Sequence, residues 1–505
     1  MDQGTGIQID PQRGEPLYKQ IYDEIVSRIR RGTYPAGYRL PAARELAKTL
    51  STHRNTVARA FEELEASGLV YSSVGRGTFV ADQPRAAESG TLPSSELPWG
   101  SLLSYGANAE PLSRLERLMD RVQGEDLVNL ASMYPSTDLL PDAPLRRCLD
   151  HVLRTYGADA MGFAPRYGVL RLRQLIAKLL ERARVTVTAE DVMITTGSQQ
   201  ALDLIARALV NPGDTLLVDE YTYTGALNAF AAVGAHIIGV PSDIEGPDID
   251  ALRPLGRMGA KAFYMMPNCG NPTGMSVSVA RRRQLVEWAH EVGVPLIEDD
   301  HGADLELDDA PTPVALRALD PDVLYVGTFS KRMIPALRVG FLVAPAGLRR
   351  QLAALKHTMD LGTSALLQHT VAEFIERGYL RAHLRRIIPA YRERRDALEA
   401  ALREHLPTFV SWQQPRRGGF LWLRLPPDYD SEVVFEEAQR QGVLVSPGAL
   451  HSVHRRVHAG LRLSFCAEPP ERLAEGARRL GAAIRAVCQR QNGVLAAASA
   501  RIEGV

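Results

Sequence analysis

The chain has 505 residues, of which 45% are hydrophobic and 23% charged, and its formal net charge is zero. That length exceeds one ordinary domain, and the composition is globular rather than disordered, collagen-like or membrane-spanning. No apolar run reaches membrane-span length. The opening MDQGTGIQIDPQRGEPLY lacks a basic start followed by an apolar stretch, and four scattered cysteines offer neither a disulfide framework nor paired metal spacing. A multi-domain cytoplasmic protein without a membrane partner or a metal is expected.

Three regions follow in chain order: a basic helical module over 14–82, a linker over 83–111 rich in Pro, Ser, Gly, Ala and Glu, and a large domain over 112–490. In the module, Leu17, Ile21, Ile25 and Ile29 recur every fourth residue and predict a helix that Tyr34-Pro35-Ala36-Gly37 ends. A second helix is expected over about Ala42–Leu50. After Ser51-Thr52-His53 a third carries Val57, Phe61 and Leu64 on one face, with Gly68 placed to terminate it. Leu69-Val70-Tyr71 and Gly77-Thr78-Phe79-Val80, either side of Gly75, read as a two-stranded wing.

Charge is concentrated in this module. Between Arg39 and Arg59, five cations (Arg39, Arg44, Lys48, Arg54, Arg59) face Glu45 alone. Two helices joined by a tight turn, the second presenting Arg54, Asn55, Thr56 and Arg59 near its start, meet the needs of major-groove reading, since Arg addresses guanine and Asn adenine. Arg44, Arg76 and Thr78 are then candidates for further contacts to double-stranded DNA, Arg44 and Arg76 at phosphates. The stretch LPAARELAKTLSTHRNTVARAFEELEASGLVYSSVGRGTFV resembles the winged helix-turn-helix of the GntR superfamily. It departs at Ala42 and His53, where that family often has Ser, so Ser51 or Thr52 is expected to cap the recognition helix.

Beyond Leu112, apolar runs of strand length alternate with helical patterns, which predicts an α/β domain with a mostly parallel sheet covered by helices. The strands are read at Val192–Thr196, Thr215–Asp219, His236–Val240, Ala262–Met266, Pro295–Asp299, Val323–Gly327 and Val339–Val343. A long helix Arg381–His405 followed by GGFLWLRLP and AGLRLSF predicts a separate, smaller α+β lobe.

Ligands in such sheets gather beyond the carboxyl ends of strands, and there the sequence places the parts of a pyridoxal 5′-phosphate (PLP) site. Lys331 supplies an amine for a Schiff base, with Thr328, Ser330 and Arg338 able to address phosphate oxygens. Asp299 offers a carboxylate for the pyridine nitrogen. Gly197-Ser198-Gln199 opens a helix whose amides suit the phosphate, Tyr223 can stack on the ring, and Asn271 can donate to the phenolic oxygen.

From about Leu112 to Val487 the chain resembles fold-type I aminotransferases, and joined to the winged module it looks like a MocR/GabR-type regulator. The resemblance implies a large domain with a seven-stranded sheet, a small α+β domain and a head-to-tail homodimer. It carries over Lys331, Asp299, Asn271, Tyr223, Ser198, Ser330 and Arg338 as cofactor residues and Arg462 as the partner of a ligand carboxylate. His301 stands where a Tyr that binds the phenolic oxygen is common, and Tyr221 where Pro is frequent. The implied function is a transcription regulator that binds operator DNA and responds to an amino-acid or amine effector through an external aldimine. The alternative is a working aminotransferase, or one retaining half-transamination, with an appended DNA-binding domain.

Overall fold

The computed structural model describes residues 7, 9–10, 16–31, 33–67, 69–73, 77–81, 102–104, 106–109, 111–112, 114, 118, 127–302, 304–308, 313–453 and 459–502, with backbone alone at 30, 66, 108 and 491–502. Gly68, Gly75, Arg76 and most of 83–111 lie outside the described residues. The chain divides into two compact units, 1–102 and 103–505.

In the first unit, helices Leu17–Arg30, Ala43–Thr49 and Arg54–Ala66 precede an antiparallel hairpin of Val70–Ser73 and Gly77–Val80. Ile21, Ile25, Leu46, Val57, Ala60, Leu64, Val70 and Val80 close one core built from the unit's own residues. The periodic stripes therefore face each other, while Ile29 and Phe61 are only partly buried. Capping differs from the sequence expectation. Neither Ser51 nor Thr52 caps the third helix: His53 does, its Nδ1 accepting the Asn55 N–H at 3.3 Å. Ser51 instead occupies the left-handed turn between the helices at φ 50°.

The second unit contains a seven-stranded sheet in the order 192–195, 340–343, 324–328, 296–300, 263–265, 215–219 and 236–240. All strands are parallel except 340–343, which runs antiparallel to both of its neighbours. Strands 192–195 and 324–328 are buried at every position, as near-continuous apolar runs covered on both faces should be, and 296–300 is buried throughout although it carries Glu298, Asp299 and Asp300. The observed ends differ from the predicted ones by a residue or so, chiefly where the ladder stops pairing at a strand's edge.

Helix Tyr379–His405 leads into the smaller lobe, where 411–412, 420–424, 460–464 and 446–447 form an antiparallel sheet in that spatial order. Helices Ser431–Arg440 and Pro470–Ile502 accompany it. Strand Val443–Leu444 pairs in parallel with Val128–Asn129, from the start of the unit. Among the described residues, no helix is long and apolar enough to cross a membrane, and no cluster of three His, Cys, Asp or Glu could hold a metal ion.

Candidate functional site

In the second unit a cavity of about 510 Å³ opens beyond the carboxyl ends of the parallel strands. Ser198, Gln199, Tyr223, Asn271, Asp299, His301, Thr328, Ser330, Lys331, Arg338 and Arg462 all line it, so residues far apart in the chain meet there. Gly197 lies just behind, as the first residue of helix Gly197–Leu209. Its φ is +77°, and a Cβ there would stand 2.6 Å from Arg338 Nη2, so only glycine lets the guanidinium approach the helix start. No acidic residue occupies that helix's first turn. The start of this helix, the Ser198 side chain, Ser330 and Arg338 thus offer a set of donors suited to an anion, and Arg338 reaches Ser330 Oγ at 3.4 Å.

Asp299, 2% exposed, is the penultimate residue of the strand Leu296–Asp300. Its Oδ2 accepts the Tyr264 hydroxyl at 2.9 Å, and its Oδ1 is buried without a hydrogen-bond partner. Burial pushes this carboxyl up to about 7, with the Tyr264 hydrogen bond opposing the rise and Asp300 adding to it. A buried carboxylate oxygen of this kind lacks a cationic donor. Tyr264 was not predicted as a site residue; it lies inside the apolar run Ala262–Met266, where a tyrosine reads as core.

Lys331 follows the strand Leu324–Thr328, and its Nζ donates to the Met133 carbonyl at 3.1 Å, beside the Tyr134 ring. Burial, reinforced by Arg462 and Arg338, lowers its ammonium to about 8. At pH 7 about a tenth of this amine is then already unprotonated, far more than for an ordinary lysine. Cofactor capture by the empty protein should accordingly accelerate as pH rises through about 8 and level off above 9. Stopped-flow absorbance against pH measures this, and an inflection near 10.5 would contradict it.

Burial and the surrounding cations Lys331, Arg462 and Arg332 pull His301 down to about 3, so its ring is neutral. Both ring nitrogens lack partners, and the ring lies nearly parallel to Phe420, 6.2 Å away. Thr328 Oγ1 accepts the Ser330 N–H at 3.1 Å, shaping the turn that carries Lys331. The Tyr223 hydroxyl donates to Gln199 Oε1 at 3.3 Å. Arg462 projects from strand Gly460–Ser464 and donates at 2.8 Å to both Asn271 Oδ1 and the Ala131 carbonyl. Asn271 therefore keeps its amide hydrogens for another acceptor. Tyr221 packs its ring against Trp422 at 5.4 Å.

In the first unit, Arg44, Arg54 and Asn55 are exposed and Thr56 half-buried. Arg59 is exposed but lies 3.9 Å over the Tyr18 ring and 3.8 Å from Glu63, so reaching a base would require leaving both. Thr78, half-buried in the wing, has its hydroxyl 3.5 Å from that of Ser72. Arg76 lies outside the described residues.

Two family models match this arrangement: bacterial regulatory proteins of the gntR family over residues 17–80, and aminotransferase class I and II over residues 125–480. The probable rhizopine catabolism regulatory protein MocR of Rhizobium meliloti is 30% identical over 95% of this chain and 96% of its own length. This chain belongs to the MocR-type regulators. Its second unit is a class I and II aminotransferase domain, and its first a gntR-type helix-turn-helix, a DNA-binding module. Enzymes without the module are similar too: the 2-aminoadipate transaminase of Thermus thermophilus is 33% identical over 77% of this chain and 98% of its own. The solved α-aminoadipate aminotransferase LysN from Thermus thermophilus, complexed with N-(5′-phosphopyridoxyl)-L-leucine, superposes with a TM-score of 0.72 at 32% identity, covering 78% of this chain and all of that one.

PLP, the cofactor of such domains, fits this MocR-type cavity on the evidence of its own residues. The orphaned Asp299 oxygen matches a protonated ring nitrogen, the cradle at Gly197 matches a phosphate, and the lowered Lys331 amine is suited to an aldehyde.

Proposed function

We propose that this chain is a PLP-dependent transcription regulator in which the aminotransferase-like unit senses an amino acid or amine and the winged module holds operator DNA. When bound, the cofactor supplies a reactive aldehyde and an electron-withdrawing ring. Asp299 would hold the ring nitrogen, Ser198, Ser330, Arg338 and the amides after Gly197 the phosphate, Asn271 and neutral His301 the phenolic oxygen, and Tyr223 the ring face. Lys331 would hold the cofactor covalently and yield its place to the effector's amine. The observation that carries this reading is the one cavity in which Lys331, Asp299 and Arg462 meet: a nucleophilic amine, a carboxylate with one unpartnered oxygen and a cation whose Nε has no partner. The partners proposed are double-stranded DNA, the effector, and a second copy of the chain in a head-to-tail dimer, working in the cytoplasm where operator and metabolites are both available.

Two experiments test the reading. Titrating the cofactor-loaded protein with a panel of amino acids and amines should change its visible absorbance for a restricted set of them; no change with any would overturn it. On the DNA side, Arg54→Ala should cost about 1–3 kcal/mol at a specific operator and far less on unrelated DNA. Because Arg59 is engaged by Tyr18 and Glu63, Arg59→Ala should cost less than Arg54→Ala in the same anisotropy titration. A second reading, a working aminotransferase carrying the DNA module, is favoured by the gathering of Lys331, Asp299, Asn271, Tyr223, Ser330 and Arg338 in one cavity. Sustained keto-acid release over many turnovers would establish it, whereas at most one equivalent per site supports the regulator.

A further inference from the structure

Two polar side chains in the cavity wall hold neither cofactor nor carboxylate in the assignment above: Ser446, 6% exposed, and His451, 2% exposed. Ser446 lies directly opposite Arg462 in the antiparallel pairing of 446–447 with 460–464, so the two side chains project from one face of the small sheet. His451 closes the short turn Gly448–His451. Its Nε2 is 2.9 Å from Ser446 Oγ and its Nδ1 is 3.2 Å from the Thr222 carbonyl oxygen.

The hydrogens in this cluster can be assigned. The Thr224 hydroxyl lies 3.4 Å from His451 Nδ1, yet its one hydrogen goes to the Leu450 carbonyl at 3.1 Å. Nδ1 thus faces only acceptors and carries the imidazole proton. Burial, with Arg462 adding to it, keeps the ring from taking a second proton. Nε2 is then a bare acceptor and takes the hydrogen of Ser446. The Ser446 oxygen is left with lone pairs and no hydrogen to give, and among the described residues no protein donor reaches it. Phe435, Leu444, Pro447 and Leu450 line the same cavity, and Arg462 stands opposite in the ladder.

We infer that Ser446, oriented by His451, is a specificity-determining residue that selects amino-acid effectors whose uncharged side chain donates a hydrogen bond through a hydroxyl or carboxamide. The inference rests on the effector reading given above and places the ligand carboxylate on Arg462, next to Ser446. A donor there satisfies the buried acceptor, an aliphatic isostere leaves it unmatched, and a second carboxylate meets lone pairs.

The test is calorimetric and absorbance titration of the cofactor-loaded full chain with two near-isosteric pairs, L-threonine against L-valine and L-tyrosine against L-phenylalanine, the second pair for a longer side chain. In the unmodified protein the hydroxylated member of at least one pair should bind about tenfold or more tightly than its partner. Ser446→Ala should bring that ratio to about one, and His451→Phe, which releases the serine hydrogen, should reduce it as well. Equal affinities within both pairs, or a ratio unchanged in Ser446→Ala, would overturn the assignment. Silence toward every amino acid would instead remove the effector reading beneath it, while a response without discrimination removes only the role of Ser446.

Discussion

Replacing Lys331 by alanine should yield protein that loses all visible absorbance on dialysis with PLP and no longer changes DNA affinity when effector is added. The amine is the only nucleophilic nitrogen of its kind lining the cavity among the described residues, and burial has already lowered it to about 8. Without it the aldehyde has no covalent hold, and what remains is phosphate and ring contact. The winged module should stay folded and keep binding DNA, because its core is closed by its own residues, Ile21, Ile25, Val57 and Leu64 among them. Dialysis followed by absorbance measures the first loss, and an operator titration with and without effector the second. An effector response that survives in Lys331→Ala would show that sensing takes another route.

Asp299→Asn should separate stability from cofactor binding, moving them in opposite directions. In the empty protein the buried Asp299 carboxyl is raised from its usual range to about 7. A group raised in the folded state is fully at ease below its unfolded value near 4, and the fold loses stability as pH climbs through about 7. Removing the charge should therefore stabilise the empty protein at pH 8 by about 2–4 kcal/mol, with little effect at pH 4. The same change deprives the cofactor's ring nitrogen of its anion and should weaken PLP binding by about 3–5 kcal/mol. Denaturant melts at the two pH values and a cofactor titration check both halves. Equal destabilisation at both pH values would mean that Asp299 is a structural residue rather than an unpaired acceptor.

Strand and helix content was legible because it is written in local periodicity. The runs at 192–195, 215–219 and 236–240 needed only their apolar continuity to be recognised, and the stripe Leu17, Ile21, Ile25 needed only its spacing. That the candidate residues at strand ends would gather in one cavity was legible for the same reason, since the α/β architecture fixes where such ends converge. What sequence could not supply was pairing across the chain. Tyr264 becomes a site residue because its strand lies alongside 296–300, with Ile297 as its ladder partner. Ser446 stands beside Arg462 through register alone. Histidine is a rare cap, so the sequence carries no signal for it at His53; its ring reaches the Asn55 amide from an extended backbone at His53. The contact of Arg59 with Tyr18 joins two helices of the module and has no local signature either.

The central claim, that a small amine ligand in the aminotransferase-like cavity controls DNA binding, is tested most directly by one titration. Cofactor-loaded protein is titrated into labelled operator DNA, by anisotropy, with and without an amino acid already found to change its visible absorbance. The coupling predicted is a change in operator affinity of about 1–3 kcal/mol, roughly 5- to 150-fold, and by reciprocity operator DNA should shift the amino acid's affinity by the same factor. Superimposable operator curves, with the absorbance change intact, would contradict it.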